Sequence, residues 1–146
     1  MWKRYTFWLS AAVLFMLITA VIHSLSLFIQ PAPSNDTERQ MLELMSNYRM
    51  DMGAGFSRTF SNLFTALSSC FSFVCLLGGL TLGYLMIKHT EPKLMKGVIG
   101  IHLVVFGVIF LVMSVFTFLP PIICTGLIFV NLLAAYIVVP KIESVV

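Results

Sequence analysis

The chain has 146 residues, 59% of them hydrophobic and 10% charged, with a formal net charge of +3. An ordinary soluble domain carries about 25% charged residues, so a water-facing fold could not hide this much apolar surface. The small positive balance calls for no acidic partner. The 13 Phe residues lie inside apolar runs rather than beside basic patches, which argues against nucleic-acid binding.

Three stretches contain no Asp, Glu, Lys or Arg: Tyr5 to Asn35, Thr59 to Ile87 and Gly97 to Pro140. A helix needs about 20 apolar residues to cross a bilayer's hydrocarbon core. The first two runs each supply one crossing. The third supplies two, divided at Pro120-Pro121. The expected fold is all-α and a single domain: a four-helix transmembrane bundle with an extra amphipathic helix between helices 1 and 2.

Helix 1 is expected over residues 6–29. Trp2, Tyr5 and Trp8 stand at its start, where interfacial aromatics belong, and Gln30-Pro31-Ala32-Pro33 ends it. The apolar stretch from Phe7 to Ile22, prolonged by Leu25 to Ile29, exceeds the roughly 7–15 residues of a signal-peptide core. That points to a retained span. The polar segment that follows opens on a capping signal, Asn35 with Glu38 and Thr37 with Gln40. Met41, Leu44, Met45, Tyr48 and Met52 recur at helical spacing, and most charges fall on the other side. An amphipathic helix over 36–52 follows, lying on the membrane surface or across the mouth of the bundle. Gly53-Ala54-Gly55 should bend the chain into helix 2, expected over 59–87.

Lys88 to Lys96 forms a short charged loop. Helix 3 is expected over 94–119 and helix 4 over 122–139, with Pro120-Pro121 as the tight turn and Pro140 as the stop. Lys and Arg in short loops mark the cytoplasmic side. Lys3, Arg4, Lys88, Lys93, Lys96 and Lys141 share one side if the chain crosses four times. Arg39, Arg49 and Arg58 sit opposite, among Asp36, Glu38, Glu43 and Asp51. Both termini are therefore expected inside the cell, in a plasma (inner) membrane. Asn35-Asp36-Thr37 is a glycosylation sequon on the opposite side, relevant only in a eukaryotic secretory setting.

No span carries Asp, Glu, Lys or Arg in its core, and nothing spells out a reaction. Polar groups inside a membrane are costly and often functional. His23, Ser26 and Gln30 share a face late in helix 1. Ser57, Ser61, Thr65, Ser68 and Ser72 form a stripe on helix 2, with Asn62 and Ser69 beside it. Asp51 and Arg58 lie just outside. His23, Gln30, Asp51, Arg58 and Asn62 are the candidate ligand-binding residues, an outward-facing polar pocket for a lipophilic small molecule under a methionine-rich lid. Ordinary hydrogen bonding between helices, roughly 0.6 kcal/mol per bond, is the plainer reading of the same residues. The alternative function is a membrane-embedded enzyme acting on a lipid or quinone, with His23 as acid or base. A third is a subunit of a larger membrane assembly, using the small residues Gly97, Gly100 and Gly107 of helix 3.

No catalytic residue, metal site or cofactor is assigned. His23 and His102 differ in depth by roughly 8 Å at 1.5 Å rise per residue, which does not suit two axial haem ligands. Asn131, near the middle of helix 4, is expected to bond to a neighbouring helix. Cys70 and Cys75 point about 140° apart on a helix, so the three cysteines read as apolar filler.

The segment from His23 to Gly79 also carries a resemblance. A histidine late in helix 1, then Pro33, Thr37-Glu38-Arg39-Gln40-Met41-Leu42 with Met45, Gly53, and the serines and aromatics of Ser61 to Phe73 are similar to a family of small bacterial four-helix integral membrane proteins of unassigned function. The resemblance implies a bacterial inner membrane. It implies no activity and carries over no site residues.

Overall fold

A computed structural model describes residues 4–29 and 32–140. In chain order it has α1 (Tyr5–Ser26), α2 (Asp36–Asn47), β1 (Arg49–Asp51), β2 (Ser57–Thr59), α3 (Phe60–Ile87), α4 (Pro92–Phe116) and α5 (Leu119–Val138). The helices α1, α3, α4 and α5 contain 22, 28, 25 and 20 residues and are long and apolar enough to cross a membrane. At 1.5 Å per residue even the shortest reaches about 30 Å, the thickness of the hydrocarbon core. The chain is a multi-pass integral membrane protein with an extra helix between its first two spans.

Residue contacts divide the chain into two units, Ala20–Val74 and the remainder. The remainder contains the first part of α1, the second half of α3, and all of α4 and α5. Its packing is built on glycines. A Cβ added to Gly79 would lie 2.8 Å from Cδ2 of Leu17, and one on Gly83 would lie 3.6 Å from Val13. The partner number falls as the glycine number rises, so α1 and α3 run antiparallel. Gly78 takes Met16, Phe106 and the His102 ring against its bare Cα. On α4 and α5, Phe129 sits on Gly107 while Phe110 sits on Gly126, each 3.1 Å from where a Cβ would be. The two rings stack with centroids 5.9 Å apart. Lipid tails are as apolar as leucine, so helix association depends on close van der Waals fit, which small residues permit.

The fully buried residues follow the same seams. Leu9, Ala12 and Met16 line α1; Cys75 and Leu82 line α3; Met95, Ile99 and Phe106 line α4; Ile128, Leu132 and Ala135 line α5. Large side chains on the other faces, such as Val104, Leu111 and Ile137, are exposed, as a lipid-facing surface requires. Gly100 is covered by Tyr136 and Gly107 by Phe129, whereas a Cβ on Gly97 meets open space. Two of the three glycines in the α4 stripe are therefore used inside the chain rather than offered to a partner.

Helix ends explain where the boundaries fall. At the end of α3, His89 takes a positive φ of 50°. Thr90 N–H bonds back to Leu85 O at 3.2 Å and His89 N–H to Met86 O at 3.1 Å, the pattern of a Schellman stop. The reversal between α4 and α5 falls at Thr117-Phe118, earlier than the expected Pro-Pro turn. Pro120 and Pro121 lie inside the first turn of α5. A first turn has no use for its backbone donors, so prolines there leave fewer N–H groups unpaired at a chargeless end. α1 ends at Ser26, but Leu27, Phe28 and Ile29 continue it in bonds to the third residue back.

Alternating helix directions put Arg4, Lys88, Lys93 and Lys96 at one end of this unit. There the Lys96 ammonium lies 5.0 Å from the Tyr136 ring centroid and Lys88 5.7 Å from that of Tyr84, within cation–π range.

The glycine seats make a signed prediction. Gly79→Val drives methyl groups into Leu17 and should destabilise by about 1–3 kcal/mol. Gly83→Ala meets only ordinary contact and should be neutral or stabilising by up to about 1 kcal/mol from helix propensity. Thermal melts of both variants in the same detergent check the contrast.

Candidate functional site

The sequence-predicted site residues fall within the unit Ala20–Val74, apart from Gln30, which lies outside the described residues. His23 is half-buried on the last turns of α1. Its Nε2 is 3.2 Å from the backbone oxygen of Ser68 on α3. A carbonyl can only accept, so Nε2 carries the proton. The Phe71 ring meets the imidazole edge-on, centroids 5.1 Å apart at 85°. Ser26 Oγ donates to His23 O at 2.7 Å.

The consequence is felt one turn further along α3. Serine and threonine hydroxyls in apolar helices commonly return to the carbonyl four residues back. Ser69 does so to Thr65 O, Ser114 to Phe110 O and Thr125 to Pro121 O, each at 2.7 Å. Ser72 would return to Ser68 O, the atom that His23 occupies. Ser72 is buried, and its Oγ has no hydrogen-bond partner among the described residues.

The segment between the first two spans differs from the expected continuous helix over 36–52. α2 starts as expected: Asn35 Oδ1 accepts from Glu38 N at 2.8 Å, and Glu38 Oε2 accepts from Ser34 N at 2.6 Å. Asp36 and Arg39 form an ion pair one turn apart. The helix stops at Asn47, and Tyr48 is already extended. Residues 49–59 form an antiparallel hairpin with Arg49 opposite Thr59, Met50 opposite Arg58 and Asp51 opposite Ser57. Gly53, Ala54 and Gly55 all have positive φ, 80°, 51° and 80°. Three such residues in a row reverse the chain, where the sequence reading allowed only a bend. Glycine has no Cβ and takes this conformation at no steric cost.

This hairpin holds the other candidates. The Asp51 carboxylate accepts from Gly53 N at 2.8 Å and pins the turn in the manner of an Asx motif. Arg58 is exposed; its Nη1 donates to Ser57 O at 2.9 Å, and its guanidinium lies 5.6 Å from the Phe56 ring. Thr59 and Asn62 cap α3 reciprocally. Asn62 N donates to Thr59 Oγ1 at 3.2 Å, while Asn62 Oδ1 accepts from the Thr59 backbone N–H and from its hydroxyl. This is a capping box with Asn in place of the usual Glu or Gln.

The structure thus gathers His23 with Ser68, Phe71 and the adjacent Ser72, and gathers Asp51, Arg58, Thr59 and Asn62 around the hairpin. Between described residues no hydrogen bond or ion pair links His23 to Asp51, Arg58 or Asn62. Asn62 and Ser68 are six residues apart, about 9 Å along the helix. Thr59 and Phe71 were not singled out from the sequence. The Thr59-x-x-Asn62 spacing before an apolar run was the available signal for Thr59; nothing local marked Phe71.

Two polar groups on the later spans bond within their own helices. His102 Nδ1 lies 2.9 Å from Val98 O, and Asn131 Nδ2 donates to Leu127 O at 2.8 Å. Asn131 therefore bonds within its own helix, not to a neighbour. Among the described residues no three His, Cys, Asp or Glu side chains gather as a metal site. An open groove at the start of α4, edged by Glu91, Lys93, Leu94 and Ile101, includes none of the candidate residues. The chain matches no protein-family model, no curated protein and no solved structure, so the site is read from its own geometry.

Asn62→Ala should cost about 1 kcal/mol through loss of the cap, and Asn62→Asp, which keeps the acceptor, should cost much less. A double-mutant cycle with Thr59→Ala, read by thermal melting, should show strong coupling between the two positions.

Proposed function

We propose that this membrane protein is a non-enzymatic binder of a lipophilic small molecule, acting alone or as an accessory subunit of a larger membrane assembly. The observation that carries the reading is Ser72. A buried hydroxyl left without a partner costs about 1–3 kcal/mol, and the cost is higher-stakes where lipid replaces water. A ligand carbonyl, ester or hydroxyl bonded to Ser72 Oγ would remove it. The imidazole of His23, bonded to Ser68 one turn earlier on α3, and the Phe71 ring that meets it edge-on supply apolar surface on the same stretch of the helix.

The hairpin residues take secondary roles in this proposal. Arg58 is an anion anchor at the membrane surface, and Gln30 a further hydrogen-bond partner. Asp51 and Asn62 hold the turn and the helix start from which Arg58 projects. The enzymatic alternative needs a proton partner beside His23, and the bonds made by Asp51 and Arg58 favour binding over catalysis.

Location is part of the proposal. Arg4, Lys88, Lys93 and Lys96 gather at one end of the larger unit, while the segment between the first two spans mixes three arginines with four acids. The bias supports both termini in the cytoplasm, in a bacterial inner membrane. A fluorescent protein fused to the C-terminus should fluoresce and a periplasm-dependent phosphatase fused there should stay inactive. The reverse pair of results would invert the topology.

The ligand test uses a short-chain benzoquinone and a phosphatidylethanolamine as probes in detergent melts. A probe at a hundredfold excess over its Kd should add about 2.7 kcal/mol. Ser72→Ala should raise the melting temperature without ligand, by removing the unpaired hydroxyl, yet abolish the gain with ligand. His23→Ala and Arg58→Ala should reduce that gain. Unchanged melting of the parent with both probes contradicts the proposal.

A further inference from the structure

The segment Ala32–Thr59 presents an apolar face that the chain leaves uncovered. None of the residues of α2 is buried. Met41, Leu44, Met45 and Tyr48 recur at spacings of three or four and share one side of the helix, and Leu44 is 64% exposed. Met52 and Phe56, on the hairpin turn, are also exposed. A helix that capped the mouth of a bundle would bury this side, so the lid and the surface-lying readings of the sequence separate here.

The tethers determine what meets this face. β2 passes into α3 with no residue between Thr59 and Phe60, and the Thr59–Asn62 cap locks the junction. Phe60 and Phe64 follow on the first turns of α3, both exposed, so the aromatic series begun by Phe56 runs on into a membrane span. At the other end, Phe28 is 86% and Ile29 71% exposed, prolonging the lipid-facing surface of α1 to within a few residues of Ser34. The hairpin thus leaves directly from a membrane span, and exposed apolar residues flank the segment at both ends.

The geometry points to a monotopic element: α2 and the hairpin lie in the membrane interface, with Met41, Leu44, Tyr48 and Phe56 immersed in the boundary between headgroups and acyl chains. Such helices sink about 5–10 Å below the headgroups. The attraction is apolar rather than electrostatic. Between Ala32 and Phe60 four carboxylates stand against three guanidinium groups, so the element has no reason to prefer anionic lipid. Glu43, on the opposite side of α2 from Met41, faces water together with Arg39. The role is independent of the ligand proposed for His23 and would hold if that ligand did not exist.

The test compares Leu44→Trp with Glu43→Trp in vesicles of neutral phosphatidylcholine, with and without bromine on the upper acyl chain. Emission is read as the increment over the unsubstituted protein, so Trp2 and Trp8 stay in place. Both positions are exposed, so neither substitution disturbs a packed core. The Leu44→Trp increment should be blue-shifted and lose about half or more of its intensity to bromolipid. The Glu43→Trp increment should be red-shifted and lose little. Adding anionic phosphatidylglycerol should change neither. A red-shifted, unquenched Leu44→Trp overturns the inference by placing the face in water. A blue-shifted but unquenched one overturns it by placing the face against protein, either this chain or a second copy. Quenching that appears only with the anionic lipid overturns its apolar basis.

Discussion

In a hydrocarbon solvent every backbone polar group must find its partner inside the protein, and several polar side chains of this chain find theirs within their own helix. Ser69, Ser114, Thr117, Thr125, His102 and Asn131 each turn back to a carbonyl three or four residues earlier. They ask nothing of a neighbouring helix. Between described residues, His23 to Ser68 is the one side-chain hydrogen bond that joins two spans. It deprives Ser72 of the carbonyl that its neighbours' pattern would give it. Among the described residues Ser72 Oγ is the one fully buried side-chain polar atom without a partner, and the functional reading follows from it.

With polar side chains self-contained, close packing is left to glycine and the large residues opposite it. Phe110 and Phe129 each seat on a glycine of the other's helix, and Leu17, Met16 and Tyr136 do the same elsewhere. The arrangement is reciprocal between α4 and α5, so a two-residue reversal suffices to hold them. It also bears on assembly. A glycine face offered to another subunit would be open, and on α4 only the end near Gly97 is.

The four spans were legible because their signal is an absence of charge over the length that a bilayer dictates, and no tertiary contact is needed to interpret it. Asn35 with Glu38 was legible for a related reason, since a cap is a local bond. The hairpin was not. Tyr48 and Met52 continue the helical spacing of Met41, Leu44 and Met45, so the apolar pattern alone runs past the true end at Asn47. The helix gives way to extended backbone at Tyr48, and the chain reverses at Gly53-Ala54-Gly55, where Ala54 gives no compositional hint of a positive φ. Asp51 and Asn62 illustrate the matching difficulty for the site. Polar residues beside a span look alike in sequence whether they await a ligand or hold a turn, and only their hydrogen bonds tell the two apart. The partner of His23 was hidden for another reason: it is a backbone oxygen, and every residue has one.

The central claim is that the His23–Ser72 region holds a small molecule. Native mass spectrometry of the protein in mild detergent, compared with Ser72→Ala prepared identically, tests it most directly. The account predicts a discrete added mass on the parent that is missing from the variant. A parent that flies at its bare mass, or an added mass equally present on both, would contradict it and return His23 to the ordinary work of joining two helices.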